Sequence, residues 1–160
     1  MSPFLSDFPK DIAGFLIPMK PHDWLIPNVA VEEILLKPPI MHRVKKTDSD
    51  KEFFVWHGYS IPVMYADDLS ISFASDETVD SRYSHMIILH SMVEKRIFYF
   101  ALVIKALPRL VWVMPQDLVD LEKPILQPTE SALVQFFDQT LAIPNLTYLE
   151  NKAVEYIGRG

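Results

Sequence analysis

Four times along the chain, a short run of β-branched and aromatic residues meets a proline and gives way to a different pattern. Leu25-Ile26-Pro27-Asn28 leads into residues 29–36, and Ser60-Ile61-Pro62-Val63 leads towards Ala66-Asp67-Asp68-Leu69. Trp112-Val113-Met114-Pro115 leads into residues 116–121, and Ala142-Ile143-Pro144-Asn145 into residues 146–150. Proline has no N–H for a ladder and a φ suited to the first turn of a helix, so each unit reads as strand, Pro, short helix. Asn28 and Asn145 are N-cap candidates, with side-chain oxygens for the orphan amides of a first turn. Two units precede the polar stretch 70–84 and two follow it, which predicts two similar β lobes joined there.

Between these exits the chain reads as hairpins. Phe15 to Ile17 and Trp24 to Ile26 flank the turn at Lys20 to Asp23, and Phe53 to Trp56 and Ile61 to Tyr65 flank His57-Gly58. Met86 to Leu89 and Ile97 to Ile104 flank Val93 to Lys95, and Leu133 to Phe137 and Leu141 to Ile143 flank Asp138 to Thr140. Strands favour such β-branched and aromatic residues. In the last pair, Leu133, Phe136, Phe137 and Leu141 also fit helical spacing, so periodicity alone leaves helix and hairpin level. The Ile-Pro-Asn sequel favours the hairpin.

Composition narrows the function. The chain has 160 residues, 49% of them hydrophobic, enough for one domain with its own core. With no Cys, disulfide scaffolds, thiol catalysis and Cys-ligated metal sites are excluded. Only 4 Gly stand against 13 Pro, at positions 14, 58, 158 and 160, which leaves no Gly-rich phosphate loop. The net charge of −6 disfavours nonspecific nucleic-acid binding. Arg43, Lys45 and Lys46 are followed at once by Asp48 and Asp50 and read as a solvated loop. The longest apolar run, Ile97 to Ile104, is far shorter than a membrane span, and the N-terminus lacks the basic start of a signal peptide.

Catalytic patterns are not found. There is no nucleophile elbow or paired-histidine metal helix, and Asp67-Asp68, as neighbours on a short helix, would point apart. The aromatics Phe53, Phe54, Trp56, Phe98, Tyr99 and Phe100 sit inside strands and read as core or lobe packing.

The order of the units carries a resemblance. WLIPNVAVEEIL (24–35), WHGYSIPVMYADDL (56–69), RIFYFALVIKALPRLVWVMPQDLVDLE (96–122) and LAIPNLTYLE (141–150) together resemble the CheW-like domain family, nearest to the ChpC type of type IV pilus chemosensory systems. The likeness implies a mainly β fold with short helices: two five-stranded β-barrel-like lobes around a shared core. It makes 133–143 a hairpin. It further implies one domain over 12–155 after an N-terminal extension, 1–11. The first lobe would take about 12–70 with a C-terminal contribution, and the second about 84–145.

The implied function is a non-enzymatic adaptor with no cofactor and no metal. It would couple the cytoplasmic tip of a methyl-accepting chemoreceptor to the regulatory domain of a CheA-type histidine kinase. It would sit in the cytoplasm at receptor arrays on the inner membrane, control pilus-driven (twitching) motility, and contact other CheW-like proteins. On the kinase side the resemblance implies Val31, Glu32, Glu33, His57 and Gly58; in the receptor groove it implies Ile104, Ala106 and Leu107. If residues 29–36 are a helix, Val31 and Ile34 share one face of it. The sequence departs from the family at His57, where an Arg is usual, and at Lys105, where an acid is frequent. Arg is a permanent cation with five donors in a fork, so its replacement changes what a partner meets. Two other readings stand beside this one. A different β-barrel module would bind a peptide or small ligand in an apolar pocket lined by Trp56 or Trp112, and an enzyme would need polar groups converging in a cleft.

Overall fold

The structure, a computed structural model, describes residues 12–36, 42–46, 49–65, 72–73, 85–91, 99–104 and 106–158. Its strands are β1 (Ile12–Ile17), β2 (Met19–Lys20), β3 (Asp23–Pro27), β4 (Val31–Leu35), β5 (His42–Lys46), β6 (Ser49–Trp56) and β7 (Tyr59–Met64). They continue as β8 (Ser72–Phe73), β9 (His85–His90), β10 (Tyr99–Ile104), β11 (Arg109–Val113), β12 (Leu118–Asp120), β13 (Glu130–Phe136) and β14 (Gln139–Pro144). Helix α1 (Leu146–Gly158) closes the chain. The fold is mainly β, as expected. No helix among the described residues is long and apolar enough to cross a membrane.

Two sheets carry the architecture, each with six strands where five were expected. One runs β11-β1-β3-β14-β13-β12 and the other β4-β9-β10-β7-β6-β5. The sheets do not follow the two halves of the chain. The first takes β1 and β3 from before residues 70–84 and four strands from after, while the second takes β4 to β7 and then β9 and β10. All four hairpins form, including β13–β14 with Val134 opposite Leu141.

Both sheets curl. In the first, edge strands β11 and β12 are joined by a 3-10 turn, Pro115–Asp117. Val113 and Leu118 are five steps apart, at most about 18 Å fully extended. Six strands laid flat would separate the edges by about 24 Å. The sheet must therefore roll up.

Three cores explain why the strands read as unbroken apolar runs. Ile17, Ile26, Ile87, Leu89, Phe100, Leu102 and Ile104 point into a core shared by the two sheets and α1. Their neighbours Leu16 and Leu25 fill the first lobe with Val113, Val134 and Leu141. Met86, Ile88, Ala101 and Val103 fill the second with Trp56, Ile61 and Val63. Strands buried on both faces need apolar residues at every position. Leu149, Ala153 and Val154 of α1 cover the shared core, and the Tyr148 N–H donates to Asn145 Oδ1 at 3.0 Å, the expected N-cap.

Several local expectations are corrected. Residues 29–36 form no helix: Asn28–Ala30 is a 3-10 turn, and residues 31–35 are β4, paired with β9. β-branched Val31 and Ile34 suit a strand, and β9 offers a partner. Asn28 lies inside the turn and makes no cap bond. Residues 116–121 likewise give a 3-10 turn and then β12, because Leu118 and Val119 pair with Phe136 and Gln135 of β13. Pro62 does not end a strand but lies within β7, opposite Phe53; β10 joins β7 only at Val63 and Met64. Pro27 and Pro144 do end theirs. Arg43, Lys45 and Lys46 belong to edge strand β5, held by β6, rather than to a loop. The Ala66 to Leu69 helix, and Lys105, lie outside the described residues.

Candidate functional site

The expected kinase-side residues gather at the mouth of the second lobe. Strand β4 enters it through a bulge. Val31 opposes Leu89 and Glu33 opposes Ile88, so one extra residue, Glu32, is accommodated. The bulge keeps Val31 and Ile34 on one face although they are three apart, and both pack half-buried against the shared core. Glu33 turns the other way. Its Oε1 accepts the Trp56 indole N–H at 3.0 Å.

This bond has a topological meaning. β4 and β6 are separated in the sheet by β9, β10 and β7, four strand spacings or about 19 Å if flat. Side-chain contact across that gap means the second sheet also curls until its first and fifth strands meet. Trp56, 9% exposed, plugs the lobe end and packs with Ile61 and Val63.

The β6–β7 hairpin then places His57 and Gly58. Both take positive φ, 49° and 82°, as two-residue turns matching strand twist require. His57 Nε2 lies 3.9 Å from Glu33 Oε1, and the His57 side chain is 68% exposed. On the neighbouring strands, His90 Nε2 lies 3.4 Å from Glu32 Oε2. Tyr99 links the groups, its ring centroid 4.8 Å from Trp56, 5.2 Å from Tyr59 and 6.3 Å from His90. The interplanar angles of 71° and 68° for the first two are edge-to-face, the arrangement ring quadrupoles favour. Among the described residues no group of three or more His, Asp or Glu could hold a metal ion. The cluster offers ring faces, two half-exposed carboxylates and two imidazoles.

The expected groove residues divide. Ile104 is fully buried in the shared core and cannot touch a partner. Its strand has both faces covered, so the position after Val103 falls inside. Ala106 is half-buried, and Leu107 is 60% exposed in the connection to β11. Leu110, Trp112 and Met114 continue the exposed apolar surface, alternating with Val111 and Val113, which face the first-lobe core. Trp112 is 71% exposed on that outer face, so it lines no lobe interior. The two sets lie at opposite ends of β10, since Tyr99 and Ile104 are five steps or about 16 Å apart.

Sequence reasoning missed Tyr59, His90 and Tyr99 at the mouth and Leu110, Trp112 and Met114 beside Leu107. The second group had a signal: four consecutive apolar residues, Leu110 to Val113, on an edge strand must present one face outward. The first had none, because curling brings its members together.

By sequence, the chain matches no family model and no curated protein. Its fold matches a solved structure, the scaffolding protein TtCheW from Thermoanaerobacter tengcongensis, with a TM-score of 0.59 and 14% identity. The match covers 86% of this chain and 90% of that one. Two curled sheets around a shared core, with one terminal helix across it, are thus a fold that this chain has in common with a scaffolding protein.

Proposed function

We propose that the protein is a non-enzymatic adaptor that couples chemoreceptors to a CheA-type histidine kinase. The observation that carries the reading is the fold shared with a scaffolding protein over most of both chains. The surfaces support it. A coupler must engage two partners at once, and this chain offers two chemically different exposed areas at opposite ends of β10. The mouth, with Glu32, Glu33, His57 and Gly58, is assigned to the kinase regulatory domain. The apolar area, with Ala106, Leu107, Leu110 and Trp112, is assigned to the receptor tip. Apolar anchors with a polar rim are what small adaptor contacts use.

The finer reading, from the sequence resemblance, is a ChpC-type coupler in a type IV pilus chemosensory system. It acts in the cytoplasm at receptor arrays on the inner membrane and governs twitching motility. The chain forms a single domain over 12–155, and other CheW-like proteins are further partners.

The test is co-elution of the purified protein with the kinase regulatory domain and with a receptor-tip fragment, together with deletion in the source organism. Binding to either partner, with impaired pilus-driven motility on deletion, supports the reading. Binding to neither, with motility intact, overturns it.

A further inference from the structure

The second-lobe mouth combines features that select the charge of what docks there. Tyr59 and Tyr99 bring ring faces, whose quadrupole is negative at the face. Glu32 and Glu33 stand beside them, 36% and 35% exposed at the side chain. The hairpin turn holds His57, whose Nε2 lies 3.9 Å from Glu33 Oε1. Among the described residues Glu32 and Glu33 form ion pairs only with His90 and His57, so a partner presenting an acid here would meet two carboxylates with no arginine or lysine paired to them. A partner presenting a base would find its counter-charges already in place.

We propose that this mouth receives a cationic side chain, an arginine or lysine carried by the kinase-type partner, against the Tyr59 and Tyr99 rings and the carboxylates of Glu32 and Glu33. The inference rests on the adaptor reading above and specifies what its kinase-side partner presents. The indole bond uses Glu33 Oε1; among the described residues no hydrogen bond reaches Glu33 Oε2, which is available to a guanidinium. Carboxylate and ring face act together on arginine, whose flat fork can hydrogen-bond and stack at once.

The test uses the whole chain, the purified kinase regulatory domain, and a capped hexa-arginine peptide as a separate probe. One variant is Glu32→Gln/Glu33→Gln, in which the new amide oxygen at position 33 can still accept the Trp56 N–H. The control is Glu122→Gln/Glu155→Gln, which removes the same charge from exposed positions elsewhere. The mouth variant is expected to weaken kinase-domain binding about tenfold and the control less than twofold. His57→Arg is expected to weaken binding too, because a tethered guanidinium occupies the carboxylates. The peptide should shift the Trp56 indole N–H resonance in wild type and control but not in the mouth variant.

Equal losses in both double variants would reduce the effect to bulk charge and overturn the site, as would tighter binding by His57→Arg. Salt-sensitive self-association that only the mouth variant abolishes would make a second copy the occupant and overturn the partner named. If the kinase domain fails to bind wild type while the peptide still moves Trp56, the adaptor reading and the partner named fall and the cation site stands. If the kinase domain binds every variant alike and the peptide leaves Trp56 unmoved, the site falls and the adaptor reading stands.

Discussion

Trp56 and Glu33 are 23 residues apart in the chain and four strand spacings apart in the sheet, yet the indole N–H reaches the carboxylate at 3.0 Å. The bond marks the seam along which the second sheet closes. It also fixes Glu33, and through it the approach of His57, so the seam and the proposed kinase-side surface are one piece of structure.

Removing the acceptor should open that seam. Glu33→Leu leaves a largely buried N–H without a partner and should cost about 1–3 kcal/mol in urea unfolding, whereas Glu33→Gln should be close to neutral. Trp56→Phe loses both bond and volume and should cost at least as much. Equal stability for Glu33→Leu and wild type would mean that apolar packing alone closes the lobe.

The bulge separates two neighbouring residues by role. Val31 packs against the shared core, so Val31→Arg should cost about 2 kcal/mol or more and confound any binding result. Glu32 is exposed and paired with His90, so Glu32→Arg should leave the unfolding midpoint nearly unchanged while weakening kinase-domain binding. Loss of folding in Glu32→Arg would show that the bulge depends on its charge.

These residues also show why the sequence was legible in part. Hairpins could be read because each strand with both faces buried must be apolar throughout, and the prolines at 27 and 144 stop real strands. The segment 29–36 was misread because a β-bulge and a helix both return position i+3 to the same face. Glu32, Glu33, His57 and Gly58 came from resemblance, and the structure brings them together. Tyr99 and His90 join them only because the sheet curls, a long-range event with no local pattern. Ile104 was misplaced for a related reason: an apolar residue at a strand end looks the same whether the chain exits to a groove or to a core.

The hairpin that carries His57 is tuned by backbone chemistry. Nothing lies within 4 Å of where a Cβ on Gly58 would sit, so Gly58→Ala meets no clash; its cost is the positive φ alone, about 1 kcal/mol. His57→Asn should stabilise by a few tenths of a kcal/mol, since Asn tolerates that region better and Asn-Gly suits a two-residue turn. Paired thermal melts would check both. A stabilised His57→Asn that also binds the kinase domain less well would mean that histidine is kept there for contact rather than for folding.

At the far end of β10, burial predicts opposite outcomes for residues three apart. Ile104 is fully enclosed with Leu102 and Phe100, so Ile104→Ala should cost about 2–5 kcal/mol. Any loss of receptor binding in that variant should track its unfolded fraction. Leu107 is 60% exposed, so Leu107→Glu should stay within about 0.5 kcal/mol of wild type. It nevertheless places a charge beside the Leu110 and Trp112 surface, which an apolar partner would have to desolvate. Binding to a receptor-tip fragment should therefore fall about tenfold or more while kinase-domain binding is kept. Calorimetry with each partner separates the cases. Equal losses for both partners would contradict the assignment of the two ends to different partners, and unchanged receptor binding would move the receptor surface away from Leu107.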